Sequence, residues 1–353
     1  MNKLNRLLLP LVLGAITLSA QVATSPVGYI TLTINGSTDG TTPAFTALSA
    51  GLQNAATVTG SATSDATSAV LTDTNASNAI NAYSTLDALG NGAYFLQITS
   101  GVNEGLILDI LSNDATSFTT GSDLNGIITT GDTYAVKAHL TLADIMGASN
   151  EAGLKTSGSS SDSDIIFLMS SIGDGLFSAY YYQTDSFGFF GGTGWRSITD
   201  ANTPVGNLVI GPDDGIIVSR KGIGDLTTVV SGSVSTVDLN RELPTGFSMI
   251  SYPFPIDVTL AESGLYSATN GYVSTGSSID SDNVFVIQPN GQFNSFYRQT
   301  DAFGFFGGDG WRTITDPNTP QDDFKILAGS SVIVLHRGTG LAWSDPFPIN
   351  LNN

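Results

Sequence analysis

Residues 183–204 read QTDSFGFFGGTGWRSITDANTP, and residues 299–320 read QTDAFGFFGGDGWRTITDPNTP. Eighteen of the 22 positions are identical. The likeness runs back to Thr141-Leu142-Ala143 against Thr259-Leu260-Ala261, and forward to Gly222 against Gly338. The offset is 118 residues up to Ser171/Pro289 and 116 from Asp174/Asn290, so Ile172 and Gly173 are extra in the first copy. An internal repeat of this length is the signature of a duplicated structural unit.

The extra pair falls between two strand-like runs, where a surface turn tolerates insertion. In the second copy, Asn290-Gly291 separates apolar residues 284–288 from alternating residues 292–298, which reads as a β-hairpin with a tight turn. Side chains alternate along a strand. Phe177, Ala179 and Tyr181 keep a large-small-large pattern with Phe293, Ser295 and Tyr297, and are expected to face the core. Leu176, Ser178 and Tyr182 change freely against Gln292, Asn294 and Arg298, and are expected to face water. Further short strands at 208–210, 216–219, 227–237, 247–252, 324–327 and 332–336 are separated by Gly-, Pro- and Asp-rich turns. That spacing predicts sandwiches or small barrels. Residues 26–137, rich in Ala, Thr, Ser and Asn, carry strand patterns at 29–34, 94–99, 106–111 and 134–137.

The expected architecture is all-β: an N-terminal β-domain (24–138) followed by two homologous β-sandwich or small-barrel modules (139–256 and 257–353). Composition agrees. Of 353 residues, 40 are Gly, 41% are hydrophobic and only 12% are charged, a balance of turns and short strands rather than of salt-bridged helices. With no Cys, disulfides, zinc ribbons and thiol catalysis are excluded. The net charge of −19 argues against nucleic-acid partners, because phosphate backbones repel such a chain.

Lys3 and Arg6 precede an apolar run at 7–18, followed by small residues including Ala20 and Ala23. This is the pattern of a secretory signal peptide (1–23), with cleavage expected after Ala20 or Ala23. The run is too short to anchor a helix across a bilayer, which needs about 20 residues. The expected location is outside the cell or on the outer surface of a bacterium, with the periplasm an alternative, and no transmembrane segment after leader removal.

Pro26-Val27-Gly28-Tyr29 after the leader, Thr99-Ser100-Gly101 with Glu104-Gly105, a tyrosine run ahead of Gly194-Trp195-Arg196, and the strand at 216–221 together resemble an uncharacterised family of exported, modular β-rich proteins of verrucomicrobia-like bacteria. The likeness covers most of the mature chain. It implies export and modular β architecture, and carries no established activity. The second Gly310-Trp311-Arg312 cassette departs from the simplest pattern of that family.

The repeat is unevenly preserved. Beyond residue 204, only Ile210, Ile217, Val218 and Gly222 of the next 18 positions keep their identity in the second copy. Something constrains the aromatic–glycine cassette more than the strands after it. One reading makes it a buried plug, with Asp185–Arg196 and Asp301–Arg312 pairs inside. The other makes Phe187, Phe189, Phe190, Trp195 and Arg196, with Phe303, Phe305, Phe306, Trp311 and Arg312, a binding surface, since aromatics and Arg concentrate binding energy.

Eight acids recur before strands or in the cassettes: Asp162, Asp164, Asp185 and Asp200, matched by Asp280, Asp282, Asp301 and Asp316. Calcium takes six to eight oxygen ligands from such loops, so a calcium site is a second expectation. No nucleophile, metal or phosphate motif points to catalysis, and His139 and His336 are not equivalent in the repeat. They are expected to be tolerated surface residues. The function expected is a non-enzymatic structural or adhesive surface or matrix protein, through self-association or contact with a surface glycan or protein. A carbohydrate-binding protein using Trp195 and Trp311 is the alternative, and a secreted hydrolase a distant one.

Overall fold

The computed structural model describes residues 26–345, apart from Ser186, Phe189, Phe190, Ala302, Phe303, Phe305 and Phe306. The leader expected at 1–23 lies outside the described residues. The fold is all-β, and no helix among the described residues is long and apolar enough to cross a membrane.

The chain begins with β1 (Val27–Ile34) and β2 (Ala44–Leu48). A six-stranded antiparallel sheet follows, built from β3 (Ala56–Ser61), β4 (Val70–Thr72), β5 (Tyr94–Ile98), β6 (Ile107–Asn113), β7 (Ser117–Thr120) and β8 (Thr133–Ala138). Its strand order is β3-β8-β5-β6-β7-β4. Period-2 alternation places Leu96, Ile98, Leu108, Ile110, Tyr134 and Val136 in one core beneath it.

Next come β9 (Leu140–Thr141), α1 (Leu142–Met146), β10 (Ile165–Met169), β11 (Phe177–Gln183), β12 (Gly194–Ser197), β13 (Val209–Ile210), β14 (Ile216–Arg220) and β15 (Leu226–Ser233). Thr141 caps α1 by accepting from the Asp144 N–H, and Asp144 reaches back to the Thr141 N–H. The last segment holds β16 (Leu239–Leu243), β17 (Gly246–Ser251), β18 (Val258–Thr259), β19 (Asn283–Ile287), β20 (Phe293–Gln299), β21 (Gly310–Thr313), β22 (Lys325–Ile326), β23 (Ser331–His336) and β24 (Leu341–Asp345).

These strands form two five-stranded antiparallel sheets whose orders correspond strand for strand: β12-β11-β10-β14-β2 and β21-β20-β19-β23-β17. Each is faced by a two-stranded ribbon, β1-β15 or β16-β24, and a short pair, β9-β13 or β18-β22. The first unit buries Ile30, Leu32, Val230, Ile166, Tyr180, Trp195, Ile216 and Val218 in one core. The second buries Leu239, Leu341, Trp343, Val284, Phe296, Trp311, Val332 and Val334 in another. Fully burying a large apolar side chain is worth about 1.5–3 kcal/mol, which is what holds each unit together.

The sheets divide the chain elsewhere than at 138/139 and 256/257. β1 pairs with β15 and β2 with β14, so the first strands belong to the first five-stranded unit. The six-stranded sheet is inserted between β2 and β9, where the second unit has only residues 252–257 between β17 and β18. β16 and β17 likewise pair with β24 and β23, placing them in the second unit. Sequence alone hides this because β1 and β2 lie far along the chain from their partners.

The face reading of β11 also reverses. Tyr180 and Tyr182 point into the first core, while Phe177 and Ala179 share the other face with Phe167. That outer face is not left to water. Phe45, Ala47, Phe167, Met169 and Ile217 of one sheet pack against Met249, Phe285, Ile287 and Ile333 of the other. Both faces are covered, so alternation of size could not tell inside from outside.

The β19–β20 turn is a three-residue loop rather than a two-residue one. Gly291 N–H donates to the Gln288 carbonyl (2.8 Å), and only Gly291 has positive φ (79°). A Cβ on Gly291 would stand 2.9 Å from the Phe45 ring, so glycine is required there by close approach as well.

Candidate functional site

The cassettes connect β11 to β12 and β20 to β21, with Gln183 opposite Gly194, Trp195 opposite Tyr182 and Arg196 opposite Tyr181. The second copy keeps that register with Gln299–Gly310, Arg298–Trp311 and Tyr297–Arg312. In each, the strand ends set a row of polar side chains beneath a glycine-rich loop.

In the first copy, Tyr181 OH donates to Gln183 Oε1 (2.7 Å), and Gln183 Nε2 donates to the Gly192 carbonyl (3.1 Å). Arg196 Nη2 donates to the Gly191 (2.7 Å) and Gly192 (3.1 Å) carbonyls, and Nη1 to its neighbour Trp195 (2.8 Å). In the second, Tyr297 OH meets Gln299 Oε1 (2.8 Å), and Gln299 Nε2 the Gly308 carbonyl (3.2 Å). Arg312 Nη2 takes Gly307 (2.9 Å) and Gly308 (3.0 Å), and Nη1 takes Trp311 (2.8 Å). These bonds recur one for one in the two copies. Gly191, Gly192, Gly307 and Gly308 lie in the left-handed region, which aims their carbonyls at the guanidinium.

Both Arg side chains are buried. Their Nη donors go to carbonyls rather than into the expected pairs with Asp185 and Asp301, and Arg312 Nη1 also stands 3.9 Å from Asp322 Oδ2. Asp185 and Asp301 instead accept from the Gly192 and Gly308 N–H groups, each at 3.0 Å, closing the loop from within. Burial pushes the Tyr181 phenol up, against the pull of Arg196, so it stays a donor to Gln183.

Trp195 and Trp311 are each 2% exposed. Trp195 Nε1 donates to the Gly147 carbonyl (2.8 Å) and its ring meets Tyr182 edge to face. Trp311 packs on Tyr272 in the same manner. Glycan recognition through these tryptophans is therefore overturned: neither ring can be stacked on from outside. Phe187, by contrast, is 84% exposed at the loop tip. Phe189, Phe190, Phe303, Phe305 and Phe306 lie outside the described residues.

The acids do not assemble as calcium ligands. Among the described residues, no three His, Asp or Glu side chains are grouped to hold a metal ion. Asp164 is fully buried and accepts from the N–H groups of Lys155, Lys221 and Gly222 and from Arg220 Nη1 (2.8 Å). Asp282 accepts from Val273 N–H, Arg337 N–H and His336 Nδ1 (2.8 Å). These carboxylates staple loops to strands. Asp200 and Asp316 accept from Thr203 and Thr319 and from the Asn202 and Asn318 N–H groups, turn bonds that hold their carboxyls below the usual range. Asp162 and Asp280 are exposed beside their buried neighbours.

The histidines are not surface residues. His336 is buried against Asp282, standing where the first unit has Arg220, and His139 is buried against Asp109 (2.9 Å). The sequence signal for the staples was present in the recurrence of Asp162 and Asp164 as Asp280 and Asp282 but reads equally as a ligand loop.

No family model, curated protein or solved structure matches this chain.

Proposed function

We propose that the protein is an exported, non-enzymatic structural or adhesive component of a cell surface or extracellular matrix, built from a duplicated β-unit whose aromatic–glycine hairpin tips make its contacts with other copies. The leader pattern, the acidic charge and the likeness to exported modular proteins support the address. The observation that carries the contact role is Phe187: a large ring 84% exposed on top of a root whose Trp, Arg, Gln and Tyr are all buried. Exposed aromatics raised on a rigid base lose little entropy on docking and supply large contact area. Residue identity is also high throughout the cassette, at 18 of 22 positions.

Sedimentation velocity of the mature protein, with and without calcium, tests this. The wild type forms concentration-dependent oligomers in both conditions, and Phe187→Ser with Phe303→Ser lowers the association without moving the melting temperature. A wild type monomeric throughout, or a variant that associates equally well, overturns it.

A further inference from the structure

Beside the seam between the two five-stranded sheets lies an open apolar groove of about 340 Å³, within the usual range of about 300–1,000 Å³ for binding sites. Met169, Phe177, Phe247, Phe285, Phe293 and Ile333 line it together with Gly175, and none of these side chains is polar. Edge-to-face contacts fix its walls: Phe177 stands on Phe167 (6.2 Å between ring centroids) and Phe293 on Phe285 (5.9 Å). Phe177, Phe247 and Phe293 are 42%, 36% and 49% exposed, so a ring entering the groove touches them directly. A cavity of about 150 Å³ lined by Leu, Ile and Phe already takes up benzene. The larger groove has room for a Phe side chain and part of the backbone that carries it.

The chain itself carries such a ring in Phe187, 84% exposed and followed by Gly188, which adds no side chain beside it. Phe187 does not reach its own groove. β11 starts at Phe177 in the groove and ends at Gln183 beneath the cassette, and seven residues rising about 3.3 Å each set those ends about 20 Å apart. Charge picks out the same two places. Copies of net charge −19 repel each other, so contact between them falls where charge is sparse. The groove lining carries no charge, and residues 184–193 carry only Asp185, which accepts from the Gly192 N–H (3.0 Å) inside the loop.

Building on the self-association proposed above, we infer that the groove of one copy receives the Phe187 ring of another. Tip and groove are different surfaces, so the contact is heterologous. Unless it closes into a ring, it adds copies head to tail into an open chain.

Sedimentation velocity of the mature protein tests this with two variants and their mixture. Phe177→Asp with Phe293→Asp puts carboxylates in the groove and leaves the tips; Phe187→Ser with Phe303→Ser removes tip rings and leaves the groove. Each variant alone is expected to associate at least tenfold more weakly than the wild type, with an unchanged melting temperature. Mixed, they form a 1:1 complex, because a tip again meets a groove. Phe293→Asn alone replaces the double groove variant if that one melts early. A wild type monomeric throughout removes self-association itself, and this contact with it. Association lost in the tip variant but kept in the groove variant, or a mixture that stays monomeric, overturns the groove alone. The dye 1-anilinonaphthalene-8-sulfonate, bound in the groove of the tip variant, is expected to be displaced in the complex. Dye retained there would give the groove to a small apolar ligand and overturn the contact.

Discussion

Phe45 and Phe247 hold the same place in the two five-stranded sheets, and each clamps the hairpin tip of the other unit. The Phe45 N–H donates to the Pro289 carbonyl at 2.9 Å, and the Phe247 N–H to the Gly173 carbonyl at 3.0 Å. Gly173 belongs to the pair of residues extra in the first copy, so that longer tip reaches its clamp by a different residue than the shorter one does. The arrangement is reciprocal, as in a dimer interface where one patch meets itself.

The middle of the seam between the sheets, at Ile217, Met249 and Ile333, is therefore core, while Phe177, Phe247 and Phe293 at its margin stay exposed. Ile333→Ala removes a side chain buried against Ile217 and Met249 and is expected to cost about 2–4 kcal/mol. Urea unfolding measures it. A loss within about 0.5 kcal/mol, typical of a surface substitution, would mean that the sheets do not pack through this face.

Arg196 and Arg312 each span three carbonyls, a task for a planar fork that one ammonium cannot match. Either Arg→Lys substitution leaves carbonyls unmatched and a buried charge poorly solvated, costing about 2–3 kcal/mol. The two variants should destabilise alike in thermal melts. Melts at the wild-type temperature would remove the guanidinium from its role as the base of the loop.

Asp345 supplies a pH signature. It closes β24, its Oδ2 has no hydrogen-bond partner among the described residues, and burial together with Asp238 pushes its carboxyl up to about 7. The folded state thus holds this proton more tightly than the unfolded chain, whose aspartate titrates near 3.9. Its contribution is fully present below about pH 4 and is lost as pH rises through 7. Asp345→Asn should be the more stable protein at pH 8 by up to about 4 kcal/mol, and should show a flatter stability profile between pH 5 and pH 8. Parallel profiles for the two proteins would contradict this.

Much of this was legible in the chain. The repeat, the hairpins around Asn290-Gly291 and the all-β class follow from turn residues and period-2 runs. What stayed hidden depends on contacts distant in sequence. Nothing near Val27 says that it pairs with Ser233, so the inserted sheet passed for an N-terminal domain. Tyr180 and Ala179 could each have faced inward, because a second sheet covers the outer face of the first. Asp164 and Asp282 have the chemistry of metal ligands and of loop staples equally, and only their backbone donors decide.

The claim on which the rest turns is that each cassette is rooted inside by its buried Trp and Arg, with Phe187 of the first presented outside. The chain has three tryptophans, Trp195, Trp311 and Trp343, and each is at most 2% exposed. Acrylamide quenching of the native protein's fluorescence reads all of them together. Quenching far below that of the urea-unfolded chain, with blue-shifted emission that glycosides leave unchanged, is the expected result. Native emission quenched as readily as in urea would place the Trp195 and Trp311 rings at the surface and contradict the account.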